Sequence, residues 1–243
     1  MASWTTHERH YQFHDHYFLK RSLAPSEYKP DFRGRLHIPV DNAKRLANEA
    51  ASLVFIRQNT DIPVPRVIQA CEFSDGSYRL CTEIVPGVPL KEIPISEQHA
   101  VIEQIERHRK TLHGLRFSRV GGPSGTVCLP PIAKMLQHDE AWITKQSPTK
   151  EYVFCHNDLS QSNVIVDPAT LKINAIIDWE FAGFFPKCFD VPFYISPMPS
   201  GAQIRTLVEG PFCEVKRFFA KYERQRSRST STPPRRETGR QTE

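Results

Sequence analysis

The sequence predicts an α+β fold, and three observations carry that prediction. Two pairs of strand-like runs, Val67 to Phe73 with Tyr78 to Val85 and Asn163 to Asp167 with Leu171 to Ile177, are each joined by a short turn. Apolar residues recur at helical spacing over 43–55 and again over 101–115. The 243 residues, 39% hydrophobic and 10% aromatic, suffice for one large domain or two lobes around a cleft.

Residues 1–19 are rich in histidine and aromatics and contain no glycine. His7, His10, His14 and His16 are not followed by a partner set for a metal, so a mobile polar N-terminus is expected. Tyr17 to Leu19 reads as a short strand leading into Lys20, and residues 22–40 are loop-like, with Pro25, Pro30, Gly34 and Pro39. Asp41 is placed to cap a helix. Its stripe is Ala43, Leu46, Ala47, Ala50, Leu53 and Val54, with Glu49 beside it, and Pro63 and Pro65 stop it. Asp75-Gly76 suits the turn of the first hairpin, and Thr82 to Gly87 follows as a connector. Ser96 opens a long helix whose apolar face is Val101, Ile105, His108, Leu112 and Leu115. A histidine on that face reads as a packed side chain. Gly121 to Gly125 lacks the Gly-Lys-Ser/Thr ending of a phosphate loop and reads as a surface loop. After an aromatic, proline-rich stretch, Ile204, Leu207 and Val208, then Val215, Phe218, Phe219 and Tyr222, mark two helices divided by Pro211.

The chemistry concentrates between Tyr152 and Pro186. Polar groups stand where the strands end: His156 and Asp158 before the first, Asn163 at its start, Asp178 and Glu180 after the second. Val164, Ile165, Val166, Ile173, Ile176 and Ile177 lie between them and form a rigid apolar platform. A loop aspartate can orient a hydroxyl and accept its proton, and an asparagine oxygen with a second aspartate can hold Mg²⁺ against phosphate oxygens. Asp and Asn are also ordinary turn residues, and any one of them alone would be structural. Here the set falls in order on the right elements, in the kinase pattern Asp-x-x-x-x-Asn followed by a metal aspartate.

HNDLSQSNVIVD followed by IDWEFAG resembles the aminoglycoside phosphotransferase family, in the broad sense that includes choline-kinase-like small-molecule kinases and many fungal relatives. The sequence has His156-Asn157-Asp158 and Asp178-Trp179-Glu180 where protein kinases have His-Arg-Asp and Asp-Phe-Gly, and no Ala-Pro-Glu follows. The resemblance spans about 40–220. It implies a two-lobed, protein-kinase-like α+β fold over 16–223, with a small β lobe at about 16–86 and a helical lobe at about 87–223. It implies an ATP- and Mg²⁺-dependent transfer of phosphate to an alcohol group of a small molecule. Asp158 would be the base and His156 its brace; Asn163 and Asp178 would be the metal ligands. Lys20 and Glu49 would clamp the phosphates, although a lone lysine after three apolar residues is equally a surface lysine. The backbone of Glu83 and Val85 in the hinge would take the adenine. One departure stands out: residues 1–19 are too short and too poor in glycine for the first two strands and their glycine-rich loop. The small lobe is therefore expected to be incomplete, and a weak or inactive pseudokinase serving as a nucleotide-binding or scaffold module is the rival reading.

Composition narrows the partners. Six scattered cysteines with no Cys-x-x-Cys pair argue against a zinc site or a disulfide framework. No apolar run approaches a membrane span, and the N-terminus has no signal-peptide core, so a cytoplasmic monomer without membrane partners is expected. Residues 221–243 hold seven cations against three glutamates, a net of +4, which leaves about +1 of the chain's +5 for the rest. The charge is a tail, not a nucleic-acid groove; salt-dependent binding lost with the tail would mark the contrary case. From Arg224 onward no apolar residue remains, and a disordered tail over 224–243 is expected.

Overall fold

The computed structural model describes residues 2–31, 33–136, 142–144, 146–210 and 213–230. A five-stranded antiparallel sheet forms the small lobe: β1 (Ser3–Thr5), β2 (Arg9–Phe13), β3 (Phe18–Ser22), β4 (Val67–Glu72) and β5 (Tyr78–Thr82), in the order β1-β2-β3-β5-β4. Two strands therefore precede the one carrying Lys20. This corrects both the mobile N-terminus and the incomplete lobe expected from the sequence. The β1–β2 turn needs no glycine, because the Thr6 hydroxyl accepts the N–H groups of Glu8 (3.3 Å) and Arg9 (3.0 Å). A hydroxyl that closes a turn in this way leaves the backbone in ordinary φ space.

Helix α1 (Asn42–Asn59) wedges between this sheet and the large lobe, burying Leu46, Leu53 and Ile56 together with the polar Arg45, Asn48 and Glu49. Asp41 does not cap it through its side chain; it takes a left-handed conformation (φ 51°) at the helix entry. Two three-stranded antiparallel sheets follow. In one, β6 (Val88–Pro89), β9 (Val164–Val166) and β10 (Ile173–Ile176) lie in the order β10-β9-β6. In the other, β7 (Arg116–Phe117), β8 (Tyr152–Cys155) and β11 (Gly183–Phe185) lie in the order β11-β8-β7. Helices α2 (Gln98–Gly114), α3 (Pro131–Leu136), α4 (Ser200–Glu209) and α5 (Glu214–Thr230) complete the large lobe. The α+β, two-lobed architecture expected from the sequence is the observed one.

The glycines at 121 and 122 are packed rather than exposed. Gly121 exchanges backbone hydrogen bonds with Phe184, and a Cβ on Gly122 would stand 1.9 Å from Asn48 Oδ1. Asn48 in turn donates to the carbonyls of Glu180 (3.1 Å) and Ala182 (2.9 Å), so this loop props the segment after Asp178. Below it, Asp190 ties α2 to the chain beyond β11 by accepting from Arg109 Nε at 2.8 Å, with His113 Nε2 at 2.7 Å. Helix α5 continues to Thr230, past the expected start of disorder at 224; its Arg, Lys, Glu and Gln residues are good helix formers even without apolar neighbours. Residues 231–243 lie outside the described residues. Among the described residues no helix is long and apolar enough to cross a membrane.

Candidate active site

The loop between β8 and β9 is held by its own polar groups. The Asp158 N–H donates to His156 Nδ1 at 3.2 Å, so the ring proton sits on Nε2 and donates to the Ile177 carbonyl at 3.0 Å. Burial lowers the His156 pKa, and the ring stays neutral against Trp179, with centroids 4.5 Å apart. Asn157, at φ 67°, donates its amide to the Phe181 carbonyl at 2.8 Å. Asn163 donates Nδ2 to the Asp158 carbonyl at 2.7 Å and accepts the Ile177 N–H on its own carbonyl at 2.9 Å. His156 and Asn163 thus stitch the loop to the end of β10, where Asp178 stands.

Asp158 itself is poorly solvated. Its Oδ1 is buried and accepts no hydrogen bond among the described residues. Burial pushes its carboxyl up to about 7; the Ser200 hydroxyl at the start of α4 opposes this, and the charges of Asp178 and Glu180 add to it. Such a carboxyl is a far better proton acceptor than one in water.

Lys20 on β3 donates to Glu49 Oε1 at 2.6 Å and to Asp178 Oδ1 at 3.1 Å. Burial disfavours its charge, but the two carboxylates outweigh it and raise its pKa. Asp178 adopts φ 68°, which turns the chain sharply at the end of β10 and aims its carboxylate at Lys20. Burial raises the Asp178 pKa, yet Lys20 prevails and the net shift is downward. Lys20, Glu49 and Asp178, far apart in sequence, form one cluster, and the lysine is no ordinary surface residue.

Behind this cluster a cleft of about 270 Å³ opens between the lobes, lined by Trp4, Phe13, Phe18, Ile84, Ile165 and Ile177, with Glu83 and Val85 on the hinge. Gly87, at φ 122°, lets the hinge press on β9: a Cβ there would meet the Val166 carbonyl oxygen at 2.4 Å. Glu83 N–H donates to the Arg66 carbonyl at 3.0 Å, and its side chain accepts from Arg66 N–H at 2.9 Å.

Three residues at this site, Arg9, Tyr11 and Arg45, were not singled out from the sequence. Glu180 accepts from Arg9 Nη2 at 2.7 Å and Arg45 Nη1 at 3.1 Å, so the segment after Asp178 is pinned to β2 and to α1. Tyr11 pairs directly with Lys20 across β2 and β3. The signal was present in Arg9, Tyr11 and Phe13, whose period of two marks a strand face.

The chain is similar to known phosphotransferases. An aminoglycoside 3'-phosphotransferase of Streptomyces fradiae is 28% identical over 187 residues, 66% of this chain and 68% of its own. Ethanolamine kinase 2 of Mus musculus is 26% identical over 186 residues, 68% of this chain but 47% of its own. Among solved structures, a thermostable mutant of aminoglycoside phosphotransferase APH(4)-Ia in ternary complex with AMP-PNP and hygromycin B has the same fold. Its TM-score is 0.52 at 17% identity, covering 96% of this chain and 80% of that one. The match to the model of the phosphotransferase enzyme family, APH, runs over residues 4–209 and so takes in β1 and β2 as well as the Asp178 segment: the chain belongs to that family.

Proposed function

We propose that the protein transfers the γ-phosphate of ATP to a hydroxyl group of a small molecule. The observation that carries this reading is the meeting of Lys20 with Glu49 and Asp178 beside a loop that presents Asp158 and Asn163. Similarity to an aminoglycoside phosphotransferase and to an ethanolamine kinase supports a small-molecule acceptor. Adenine enters the apolar cleft with its edge at the hinge. Because Glu83 spends its N–H on Arg66, the Glu83 carbonyl and the Val85 N–H are the groups left for that edge.

The phosphate end fits Mg²⁺. Asn163 commits Nδ2 to the Asp158 carbonyl and so has its amide oxygen to offer, and the charged Asp178 side chain keeps 36% exposure. Both are the hard oxygen donors this ion requires, and when bound it would offset phosphate charge. Lys20 stays protonated and holds the inner phosphates, with Glu49 fixing its ammonium. Asp158 orients the acceptor hydroxyl and takes its proton as that oxygen bonds to phosphorus and the bond to the β-phosphate oxygen breaks, releasing ADP. His156, neutral and fully used by its two hydrogen bonds, positions the loop and does not react.

The test is acceptor-dependent ADP release across a panel of aminoglycosides and amino alcohols, with wild type and Asp158→Asn. At least one acceptor should stimulate release, and the variant should lose on the order of 10²–10⁴-fold in rate. No stimulation across the panel, with no shift of the melting temperature by Mg-ATP, overturns the proposal.

A further inference from the structure

The cleft-facing side of the small-lobe sheet changes character along its length. In the antiparallel ladders Tyr11 stands opposite both Trp4 and Lys20, Phe13 opposite Phe18, and Arg9 opposite Ser22. Directly opposed residues share a face, as do residues two apart on one strand. Trp4, Phe13, Phe18 and Lys20 line the cleft, so Tyr11 and Arg9 belong to the same face. Phe13 and Phe18, with centroids 4.7 Å apart, form its apolar end; Tyr11 and Lys20 come next; Arg9 ends the row.

A glycine-rich turn grips phosphates through its backbone N–H groups. The turn from Thr6 to Glu8 has little to offer in this way. Thr6 N–H donates to the Arg9 carbonyl at 2.8 Å, and the N–H groups of Glu8 and Arg9 are taken by the Thr6 hydroxyl. Side-chain donors stand beside it instead. Arg9 is 4% exposed, and Glu180 holds it through Nη2, while Nη1 is buried with no hydrogen-bond partner among the described residues. A buried guanidinium N–H without an acceptor is costly unless a ligand supplies one. The Tyr11 phenol, pushed up to about 12 by burial, lies in the field of Lys20, Asp178, Arg9 and Glu180.

We propose that Arg9 and Tyr11 bind the terminal phosphate of the nucleotide, doing with side chains what a glycine-rich turn does with its backbone. Glu180 then acts as a positioning residue, since it holds the Arg9 guanidinium from one side and is itself held by Arg45. The inference rests on the nucleotide-dependent phosphotransfer proposed above and adds the residues that recognise the third phosphate.

Calorimetry on the full chain with Mg-ADP and with a non-hydrolysable Mg-ATP analogue tests it. Arg9→Met keeps the buried stem and removes the donors. It should weaken the analogue about 10–100-fold, the loss of a charge-assisted hydrogen bond, and leave ADP within about 2-fold. Tyr11→Phe removes one oxygen and should weaken the analogue about 3–10-fold with the same selectivity, which keeps the test open if the arginine variant fails to fold. Equal losses for both nucleotides would make Arg9 a latch between lobe and loop and overturn the inference, as would unchanged affinity for both. Wild type that binds neither nucleotide overturns the phosphotransfer reading itself, and this inference with it.

Discussion

Lys20 donates to Glu49 at 2.6 Å although their side chains are only 12% and 4% exposed, and the same ammonium also serves Asp178. A cation shared by two carboxylates is the electrostatic centre of the cleft. In the proposed reaction it keeps one positive charge fixed for the phosphate oxygens.

Lys20→Met should therefore cost more than nucleotide binding. It leaves Glu49 buried without a counter-charge, and breaking a buried pair on one side costs on the order of 3 kcal/mol. Burial already raises the Glu49 pKa. A carboxyl raised in the folded state keeps its stability below the unfolded pKa and loses it as pH rises through the folded one. The melting-temperature gap between wild type and Lys20→Met should accordingly be wider at pH 8 than at pH 5. Equal gaps at the two pH values would mean that Glu49 finds another partner.

Asp158 gives the opposite result for stability and for activity. Its carboxyl is raised to about 7, chiefly by burial, so its charged form opposes folding; that contribution to stability is present below about pH 4 and lost as pH rises through about 7. Asp158→Asn should melt above wild type at pH 8, by about 1–2 kcal/mol after allowance for the partly open site, and match it at pH 4. Catalysis runs the other way. Wild-type turnover should rise through about pH 7 as the base ionises, and the variant should show no such limb. A variant less stable than wild type at pH 8 would contradict the burial of this carboxyl.

Much of the site was legible because it is local. The segment from His156 to Glu180 carries its own strand pair, turn and polar ends, and side chain to backbone bonds within it fix the loop. Glu49 is legible only through the family resemblance, because a carboxylate beside an apolar helical stripe reads by itself as a surface residue. The first two strands are not legible, because residues 1–19 hold four histidines and no glycine to signal a tight turn, and Thr6 closes that turn by another chemistry. The Arg9–Glu180 pair joins residues 171 apart, and no local pattern announces such a contact. Helix α5 outruns its apolar residues because helix propensity and an anchored start, with Val215 and Phe219 buried, carry it on to Thr230.

Gly87→Ala tests the hinge. The backbone there is at φ 122°, and the added Cβ would stand 2.4 Å from the Val166 oxygen. Strain alone costs about 1–3 kcal/mol, and relief requires β9 and the hinge to part. Melting temperature should fall by about 3–10 °C at the rate expected for a domain of this size. Nucleotide affinity should fall with it, since Val85 lies two residues away. A neutral substitution would show that the hinge does not depend on this close approach.

Asp178→Asn separates charge from shape. Asparagine tolerates the left-handed conformation that Asp178 adopts, so the chain keeps its turn at φ 68°. The charge that Lys20 favours is lost. Asp178 has a lowered pKa in the fold, which makes its contribution to stability present above the unfolded carboxylate pKa and lost as pH falls; the variant should thus be less stable at pH 7 and close to wild type in acid. Binding should change in a way that pH alone would not produce. Asn163 and an amide at 178 form a poor set for a hard cation that prefers carboxylate oxygen. Wild-type affinity for ATP should drop when EDTA removes Mg²⁺, while the variant should bind weakly with or without the metal. Lys20 still has Glu49, so the clamp on the inner phosphates should persist and the residual affinity should match that of metal-free wild type. A variant that keeps the full dependence on Mg²⁺ would move the metal away from Asp178 and leave this aspartate only its pairing with Lys20.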